Sequence, residues 1–487
     1  MTDTIISWLN EANDILWTYV IVFLLVFCAL WFTIRLGGVQ FTHLHEMLRQ
    51  LMPEKKRDVR PDGKPQISPF QAFSVALASR VGTGNLAGVA SAIAIGGPGA
   101  VFWMWVMALL GSATAFVEST LAQLYKRRGE DAFYGGPAYY MQHGLHRRWM
   151  GILFAVLITV TFGLANQLVQ SNTLCDALSD SLPVSIEVVG VVLTLFTLAV
   201  VFGGIQRISR FSAVCVPFMA VGYIIISLFV LVINITSLPD VFMLIIRNAF
   251  GLEQAAGGMF GMAVLQGVKR GLFSNEAGEG SAPNAAAIAA TSHPVKQGLL
   301  QALGVFSDTL VICTCTALVI LLSGLYDNGS DGIILTTQAL ESEVGVFGRW
   351  FVTAAIFLFA YSTIIANYFY GETNIRFIFG HKGNKVVSAE EASKASRSEK
   401  MSVLTFRILT GVVIMGGALM TLQTAFSVVD LVMGLMTITN LIAIFLLFPK
   451  VCVLLEDYKK QRKAGQDPVF RKDIFPADVQ KDLECWD

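Results

Sequence analysis

The sequence has few charged residues. Of 487 residues only 14% are Asp, Glu, Lys or Arg, whereas 54% are hydrophobic and the mean hydropathy is +0.62. Soluble domains carry roughly 25% charged residues. Basic and acidic residues number 35 each, so the net charge is zero and the basic footprint of a nucleic-acid-binding protein is excluded. Repeated apolar runs of about 20 residues predict an all-α integral membrane protein in a lipid bilayer.

Cysteine is also scarce, and its spacing excludes common kinds of site. The cysteines show no metal-ligand spacing and fall mostly in apolar runs, so we expect reduced, structural thiols. The sequence has no His/Cys/Asp metal cluster, nucleophile motif or phosphate-binding loop, which disfavours an enzyme and an ATP-driven pump. The seven cysteines are Cys28, Cys175, Cys215, Cys313, Cys315, Cys452 and Cys485.

Apolar segments predict eleven transmembrane helices. The first lacks the basic region that precedes a secretory signal core, and its length is that of a full span, so we expect it to remain as an anchor. The predicted spans lie near 16–35, 69–95, 99–125, 150–176, 186–204, 211–233, 253–291 (interrupted), 297–323, 349–376, 402–420 and 425–449.

The loops predict an orientation. Lysine and arginine cluster in the loops after spans 1, 3, 5, 7, 9 and 11, whereas IGGPGA and CDALSDSLPVSIE contain none. Cytoplasmic loops carry the excess of basic residues. The N-terminus is therefore expected outside and the C-terminus in the cytoplasm. The loop 381–400 and the tail 456–487 are charged, and we expect both to be mobile.

An internal repeat divides the spans. SRVGTGNLAGVASA (79–92) aligns with KRGLFSNEAGEGSA (269–282), with six identities in fourteen positions, in spans 2 and 7. A weaker match relates FGLANQLVQSN to FLFAYSTIIAN, in spans 4 and 9. Members five spans apart cross in opposite directions, which predicts a five-plus-five inverted repeat with broken helices. The predicted parts are an extra span (1–40), two repeats (65–235 and 240–450) and a cytoplasmic tail (451–487).

The glycine-rich stretches of spans 2 and 7 predict a binding site. Gly82, Gly84 and Gly88 favour a helix break, which lipid does not tolerate unless the backbone lines a polar cavity. Free N–H groups of one half-helix attract a carboxylate, and free carbonyls of the other bind a small cation. Close helix packing is the alternative reason for the glycines. It does not explain Arg80 and Asn85, which recur as Arg270 and Asn275.

Three stretches resemble a known family. VGTGNLAGVA, GPGAVFWMWVMALLGSATAFVESTLAQLY and GVKRGLFSNEAGEGSAP are similar to the alanine or glycine:cation symporter family, within the amino acid–polyamine–organocation superfamily. The resemblance runs from about residue 15 to 450. It implies a sodium-coupled amino-acid transporter of the bacterial inner (plasma) membrane with five-plus-five inverted repeats and one extra span.

The resemblance implies a substrate site at the two breaks. The backbone at Thr83 and Gly84 is expected to receive the substrate carboxylate, and Phe273 with Ser274 to wall a small pocket. Gln170 in span 4 is a buried amide that either binds substrate or joins helices, with Gln167 and Asn166 as lesser candidates. The full predicted set is Thr83, Gly84, Asn85, Gln170, Phe273, Ser274 and Asn275.

A sodium site is expected beside it. The fold-level resemblance points to the hydroxyls of Ser362 and Thr363 in span 9 and the carbonyl of Phe359, opposite the carbonyls of Ala78 and Val81. Five oxygens without a carboxylate suit Na⁺, the expected coupling ion, and no other cofactor is predicted. Alternatively, the two hydroxyls bond back to their own helix.

Acids within spans allow either a proton relay or structural pairing. Pairing, with Arg80 or Arg270, is the expectation, although no spacing assigns partners. These acids are Glu118, Asp308, Glu372 and Asp430.

The predicted function is inward symport of Na⁺ with alanine or glycine by alternating access, in a protein that works as a monomer. Proton coupling or a glutamine-selective member are the alternatives. A channel is less consistent with the sequence, because polar residues concentrate at one depth instead of lining a continuous path.

Overall fold

The computed structural model describes residues 11–52, 66–129, 132–251, 257–380, 389–420 and 422–486. Within these ranges the chain is predominantly helical. The described β structure is one antiparallel pair, β1 (Arg127–Arg128) with β2 (Phe133–Tyr134). The predicted all-α class is confirmed.

Twelve main helices build the described chain. In chain order they are α1 (Glu11–Arg35), α2 (Pro69–Arg80), α3 (Gly84–Gly96), α4 (Gly99–Leu124), α5 (Arg148–Ser181), α6 (Ile186–Val201), α7 (Gly204–Ile233), α8 (Gly257–Asn275), α9 (Pro294–Leu322), α10 (Val346–Phe379), α11 (Ala389–Ala418) and α12 (Leu422–Lys463). Short helices are Val39–Thr42, Leu44–Arg49, Pro137–His143, Leu238–Ala249, Ala282–Ala286, Gly332–Val344, Lys472–Ile474 and Ala477–Gln480.

Eight helices of the described residues are long and apolar enough to cross a membrane, and α3 and α6 are shorter apolar helices. The eight are α1, α4, α5, α7, α9, α10, the part Arg397–Ala418 of α11, and the part Phe426–Lys463 of α12. Spans 2 and 7 are each divided, the second into α2 and α3 and the seventh into α8 and Ala282–Ala286. The count of eleven spans therefore stays a prediction.

Local sequence sets the limits of α2. Ser68 and Gln71 form a reciprocal capping box, with Ser68 Oγ accepting from the Gln71 N–H at 3.2 Å, and Pro69 occupies the first turn. The helix ends at Arg80, and Val81 leaves helical geometry at φ −81° and ψ 84°. Thr83 already has helical backbone angles, with φ −61° and ψ −27°, and α3 continues from Gly84. The break is thus confined to Val81 and Gly82.

Four of the five helix pairs that the repeat relates are packed together in the described residues. α3 packs against α8, α4 against α9, α5 against α10, and α6 against α11. A pseudo-two-fold axis in the membrane plane would bring such counterparts together. The packing supports the predicted repeats, whose boundaries remain a prediction.

The C-terminal tail is packed, not mobile. α12 continues to Lys463, and beyond it Phe470, Leu483 and Trp486 are buried. The N–H of Phe470 donates to the Ser292 carbonyl at 2.9 Å, and Trp486 Nε1 donates to the Leu124 carbonyl at 3.1 Å. The predicted mobility of 456–487 is therefore wrong for residues up to 486, because tail aromatics bury against the ends of other helices. In the loop 381–400, residues 381–388 lie outside the described residues and 389–400 are helical.

Candidate functional site at the two helix breaks

The first break places polar backbone groups inside the protein. The Gly82 N–H donates to Asn85 Oδ1 at 2.9 Å, and the Thr83 N–H donates to Gln170 Oε1 at 3.2 Å. Gln170 Nε2 in turn donates to Asn166 Oδ1 at 3.0 Å. The hydroxyl of Thr83 is fully buried and has no hydrogen-bond partner among the described residues. The Thr83 hydroxyl, which can both donate and accept a hydrogen bond, is thus free at the start of the half-helix α3.

The second break is a loop in which three residues have backbone angles in the left-handed region. After α8 ends at Asn275, φ is 57° at Glu276, 93° at Gly278 and 83° at Gly280. Asn275 Oδ1 accepts the Ala277 N–H at 3.0 Å. Glu118 on α4 accepts from the N–H groups of Gly278 at 3.4 Å and Gly280 at 3.2 Å. Backbone groups that have left the helix are therefore satisfied by a side chain of a neighbouring helix.

The two breaks face each other. A Cβ on Gly84 would lie 3.1 Å from Phe273 Cδ1 and 3.4 Å from Ser274 Cα. The ring of Phe273 also packs edge-on against Phe426, with centroids 5.4 Å apart. The structure therefore brings Thr83 and Gly84 together with Phe273 and Ser274. At this interface even a methyl group on Gly84 would be in tight contact with the Phe273 ring.

Asp308 on α9 joins the two breaks. Its Oδ1 accepts from Asn85 Nδ2 at 2.6 Å, and its Oδ2 accepts from Ser274 Oγ at 2.7 Å. Thr309 Oγ1 adds a third donor at 3.0 Å. The residue is fully buried, and it forms no ion pair in the part of the chain that the structure describes. Asp308 thus fixes Asn85 and Ser274 by hydrogen bonds, not by the expected pairing with arginine.

A cluster of oxygen atoms lies between α2 and α10. Thr363 Oγ1 is 2.8 Å from the Ala78 carbonyl oxygen, 3.0 Å from that of Phe359, and 3.4 Å from those of Ser79 and Val81. A hydroxyl has one proton to donate, so it satisfies only one of these acceptors. The four carbonyls around it form an electronegative position next to the break.

Some predicted residues point elsewhere. Asn275 serves its own loop and donates to Thr309 Oγ1 at 3.3 Å, so it contacts α9 instead of Thr83. The Ser362 hydroxyl donates to the Phe359 carbonyl at 2.9 Å, as in the back-bonded alternative. Gln167 Nε2 donates to the Ile364 carbonyl at 3.0 Å and joins α5 to α10.

The remaining intramembrane acids differ in their partners. Asp430 pairs with Arg270 at 3.3 Å and Lys269 at 3.4 Å. Glu372 pairs with Arg376 at 2.6 Å. Glu118 accepts a hydrogen bond from a backbone N–H of the loop, that of Gly278. In the described residues Arg80 donates to the backbone and side-chain oxygens of Gln301 and not to an acid. Structural pairing therefore holds for Asp430 and Glu372, but only Asp430 has an expected partner, Arg270, because Glu372 pairs with Arg376 and Arg80 pairs with no acid in the described residues.

The sequence did not predict that Glu118 binds the loop of the second break, nor that Glu276 and Glu279 lie buried in that loop. The signal was present in the NEAGEG stretch, whose two glutamates and two glycines stand inside an apolar segment. Nothing in the linear spacing connects this stretch with Glu118 on α4.

The fold is that of helical membrane transporters with inverted repeats and broken spans, as predicted. The chain is similar to the crystal structure of MhsT in complex with L-phenylalanine, with a TM-score of 0.53 over 89% of this chain and 94% of that one. The sequence identity is 12%, so this likeness concerns the fold alone.

A model of the sodium:alanine symporter family matches residues 2–472. The chain belongs to this family, which is a family of membrane transporters. It is 48% identical to the probable sodium/glutamine symporter GlnT of Bacillus subtilis, over 98% of this chain and 95% of that protein. It is 36% identical to the sodium/proton-dependent alanine carrier protein of Bacillus sp. PS3, over 86% of this chain and 94% of that one.

Proposed function

We propose that this protein imports a small neutral amino acid, alanine or glycine, together with Na⁺ by alternating access. The observation that carries the proposal is the meeting of the two breaks, where the free Thr83 hydroxyl lies beside Gly84 and the Phe273 ring covers it. Backbone N–H groups at the start of α3 suit a carboxylate. The close approach of Phe273 leaves room for a methyl group or a hydrogen as the side chain.

Sodium binds, in this proposal, at the oxygen cluster around Thr363. The carbonyls of Ala78, Val81 and Phe359 and the Thr363 hydroxyl supply neutral oxygen ligands. These ligands fit Na⁺ because no group among them has to lose a proton. Ser362 joins the site only if its hydroxyl turns away from the Phe359 carbonyl. Gln170, Asn85, Ser274 and Asn275 complete the substrate side, the last through the loop that it stabilises.

The binding cycle follows from the position of the cluster. Sodium holds the α2 end against α10, because its ligands come from both helices. This fixes the break that receives the substrate carboxylate, so ion and substrate binding are linked. We place the protein in the bacterial inner membrane as a functional monomer, with the N-terminus outside and the C-terminus in the cytoplasm.

Glutamine is the second candidate substrate, since the name of the relative GlnT specifies glutamine. It requires more room than the contact between Gly84 and Phe273 leaves, so Phe273 would have to rotate. The name of the PS3 carrier specifies protons beside sodium, and proton coupling is therefore the second candidate for the driving ion.

Counterflow in proteoliposomes tests the proposal. Vesicles loaded with unlabelled alanine should accumulate labelled alanine, and unlabelled glycine should compete better than glutamine. An inward sodium gradient should drive the uptake of labelled alanine into empty vesicles. Stronger competition by glutamine would assign the protein to glutamine, and uptake indifferent to the sodium gradient would contradict sodium coupling.

A further inference from the structure

The interior next to the second break contains more acid than base. Glu276 and Glu279 lie in the loop between α8 and the helix Ala282–Ala286, and Glu118 faces them from α4. Arg80, at the end of α2, is the basic residue that acts on all three electrostatically. All four side chains are at most 2% exposed.

Two of these carboxyl groups are well held. Glu118 accepts from two loop N–H groups and from Asn440 Nδ2 at 2.9 Å. Glu276 accepts from the Ser79 hydroxyl and, at 2.5 Å, from the Ser281 hydroxyl. Such donors stabilise the charged form of a carboxylate inside a protein.

Glu279 has no such support. It is 0% exposed, and neither of its carboxyl oxygens has a hydrogen-bond partner among the described residues. The charged groups that act on it are Glu276 in its own loop, Glu118 on α4, Arg80 on α2 and Asp430 on α12. Asp430 already forms ion pairs with Arg270 and Lys269. Arg80 nevertheless keeps Nε and Nη2 without a partner in the described chain.

The charge balance shows which group is neutral. Three ionised carboxylates against one guanidinium would leave a charge of about −2 on these four side chains, at a cost of several kcal/mol for each unpaired ion. Uptake of one proton removes the cost of one such ion, and it does so most readily at the carboxyl with no donor. No group of three His, Cys, Asp or Glu residues in the described chain is arranged to hold a metal ion, whereas a proton needs no such arrangement.

We propose that Glu279 binds a proton in the conformation of this structure and releases it when the loop becomes hydrated, so that a proton is carried with each substrate. The proton is taken from water on the outer side to form a carboxyl O–H bond, and that bond is broken again to water on the cytoplasmic side. The inference rests on the proposed amino-acid transport and adds a second coupling ion at a position apart from the sodium cluster.

The loop is suited to this coupling because it is held by both sides of the break. Glu118 attaches it to α4, and Glu276 attaches it to Ser79 at the end of α2. Any movement of α2 relative to α4 therefore changes the surroundings of Glu279. Arg80, whose Nε and Nη2 have no partner in the described chain, is the nearby cation that would stabilise Glu279 once it is deprotonated.

The test uses Glu279→Gln, which resembles the protonated carboxyl but cannot titrate. Proteoliposomes with equal sodium on both sides and a trapped pH indicator receive an inward alanine gradient. Wild type should acidify the lumen as it takes up alanine, and E279Q should take up alanine without acidification. With one proton per substrate, each unit of inward pH gradient raises the equilibrium accumulation ratio about tenfold in wild type and leaves it unchanged in E279Q. Glu187→Gln, at an exposed glutamate in the first turn of α6, is the matched control and should behave as wild type.

The outcomes separate this inference from the proposed function. Acidification by E279Q equal to wild type, or net alanine uptake by wild type with no acidification, overturns it. Absence of alanine exchange in wild type contradicts the proposed transport instead. In that case infrared spectroscopy tests whether Glu279 is protonated. Wild type should show a carboxyl C=O band that disappears on alkalinisation, and this band must be missing in E279Q. If E279Q does not fold, Glu279→Asp should still acidify the lumen with a displaced pH midpoint, and an unchanged midpoint overturns the inference.

Discussion

At the scale of single residues, Gly82 lies where the first break contacts both Thr363 of the proposed sodium site and Gln170 of the proposed substrate site. A Cβ at this position would overlap the Thr363 hydroxyl and lie 3.1 Å from Gln170 Oε1. Gly82→Ala is therefore expected to abolish uptake while the protein still inserts and folds. Gly88→Ala is the matched control, because its Cβ would meet nothing nearer than the Thr83 carbonyl oxygen at 3.9 Å. Equal uptake by the two variants would remove Gly82 from the site.

Thr363 allows a test of the sodium ligands. Thr363→Val keeps the shape of the side chain and removes the oxygen that four carbonyls surround. The lost contact between Na⁺ and the hydroxyl dipole is comparable to a hydrogen bond to a charged group, about 1.5–3 kcal/mol, so the sodium concentration for half-maximal uptake should rise about tenfold or more. Thr363→Ser retains the hydroxyl and should stay near wild type. A sodium dependence that is the same in T363V and wild type would place the cation elsewhere.

At the scale of helices and their breaks, the ion pair between α8 and α12 supports α8, the first half of span 7. Asp430 lies 3.3 Å from Arg270 and 3.4 Å from Lys269, and Arg270 also lies over the Phe426 ring at 4.3 Å. Arg270 is one helical turn from Phe273. The pair therefore connects the aromatic wall of the proposed pocket to α12.

Asp430→Asn is expected to destabilise the protein more than a surface change does. It leaves two buried cations uncompensated, and the loss of one partner of a buried pair costs about 3–5 kcal/mol. The measurement is the unfolding midpoint in detergent. Asp240→Asn, at an exposed residue in the first turn of the helix Leu238–Ala249, is the control. Midpoints that agree between D430N and D240N would show that the pair adds no stability.

The sequence predicts the breaks better than it predicts their partners. Glycine and polar residues clustered at 79–92 and 269–282 conflict with a continuous membrane helix, so the location of each break follows from local chemistry. The contact of Asp308 with Asn85 and Ser274 spans 223 and 34 residues of sequence. Such a tertiary contact has no local pattern. The helices Leu238–Ala249 and Gly332–Val344 were not predicted, because at 12 and 13 residues they are shorter than a span.

At the scale of the whole molecule, the tail connects distant parts of the fold. Glu484 pairs with Arg127 at 3.1 Å, after α4, and Ser292, just before α9, donates to the Pro468 carbonyl at 2.9 Å. α4 and α9 are the counterparts that the repeat pairs in spans 3 and 8. The charged composition of the tail led to the prediction of mobility. Composition alone does not reveal that Phe470, Phe475 and Trp486 pack against one another.

Trp486 is the residue through which this connection can be tested. Its ring is 8% exposed, lies 5.1 Å from that of Phe470 and has the Lys126 ammonium 4.6 Å away. Trp486→Ala should lower the free energy of unfolding by about 3 kcal/mol and make the tail more sensitive to protease. Val469→Ala, at a side chain that is 53% exposed, serves as the control. If W486A unfolds at the midpoint of V469A and its tail is cleaved no faster, the tail does not stabilise α4 and α9. If only W486A is affected, the tail is part of the folded transporter, and its release would loosen both members of a repeat pair at once.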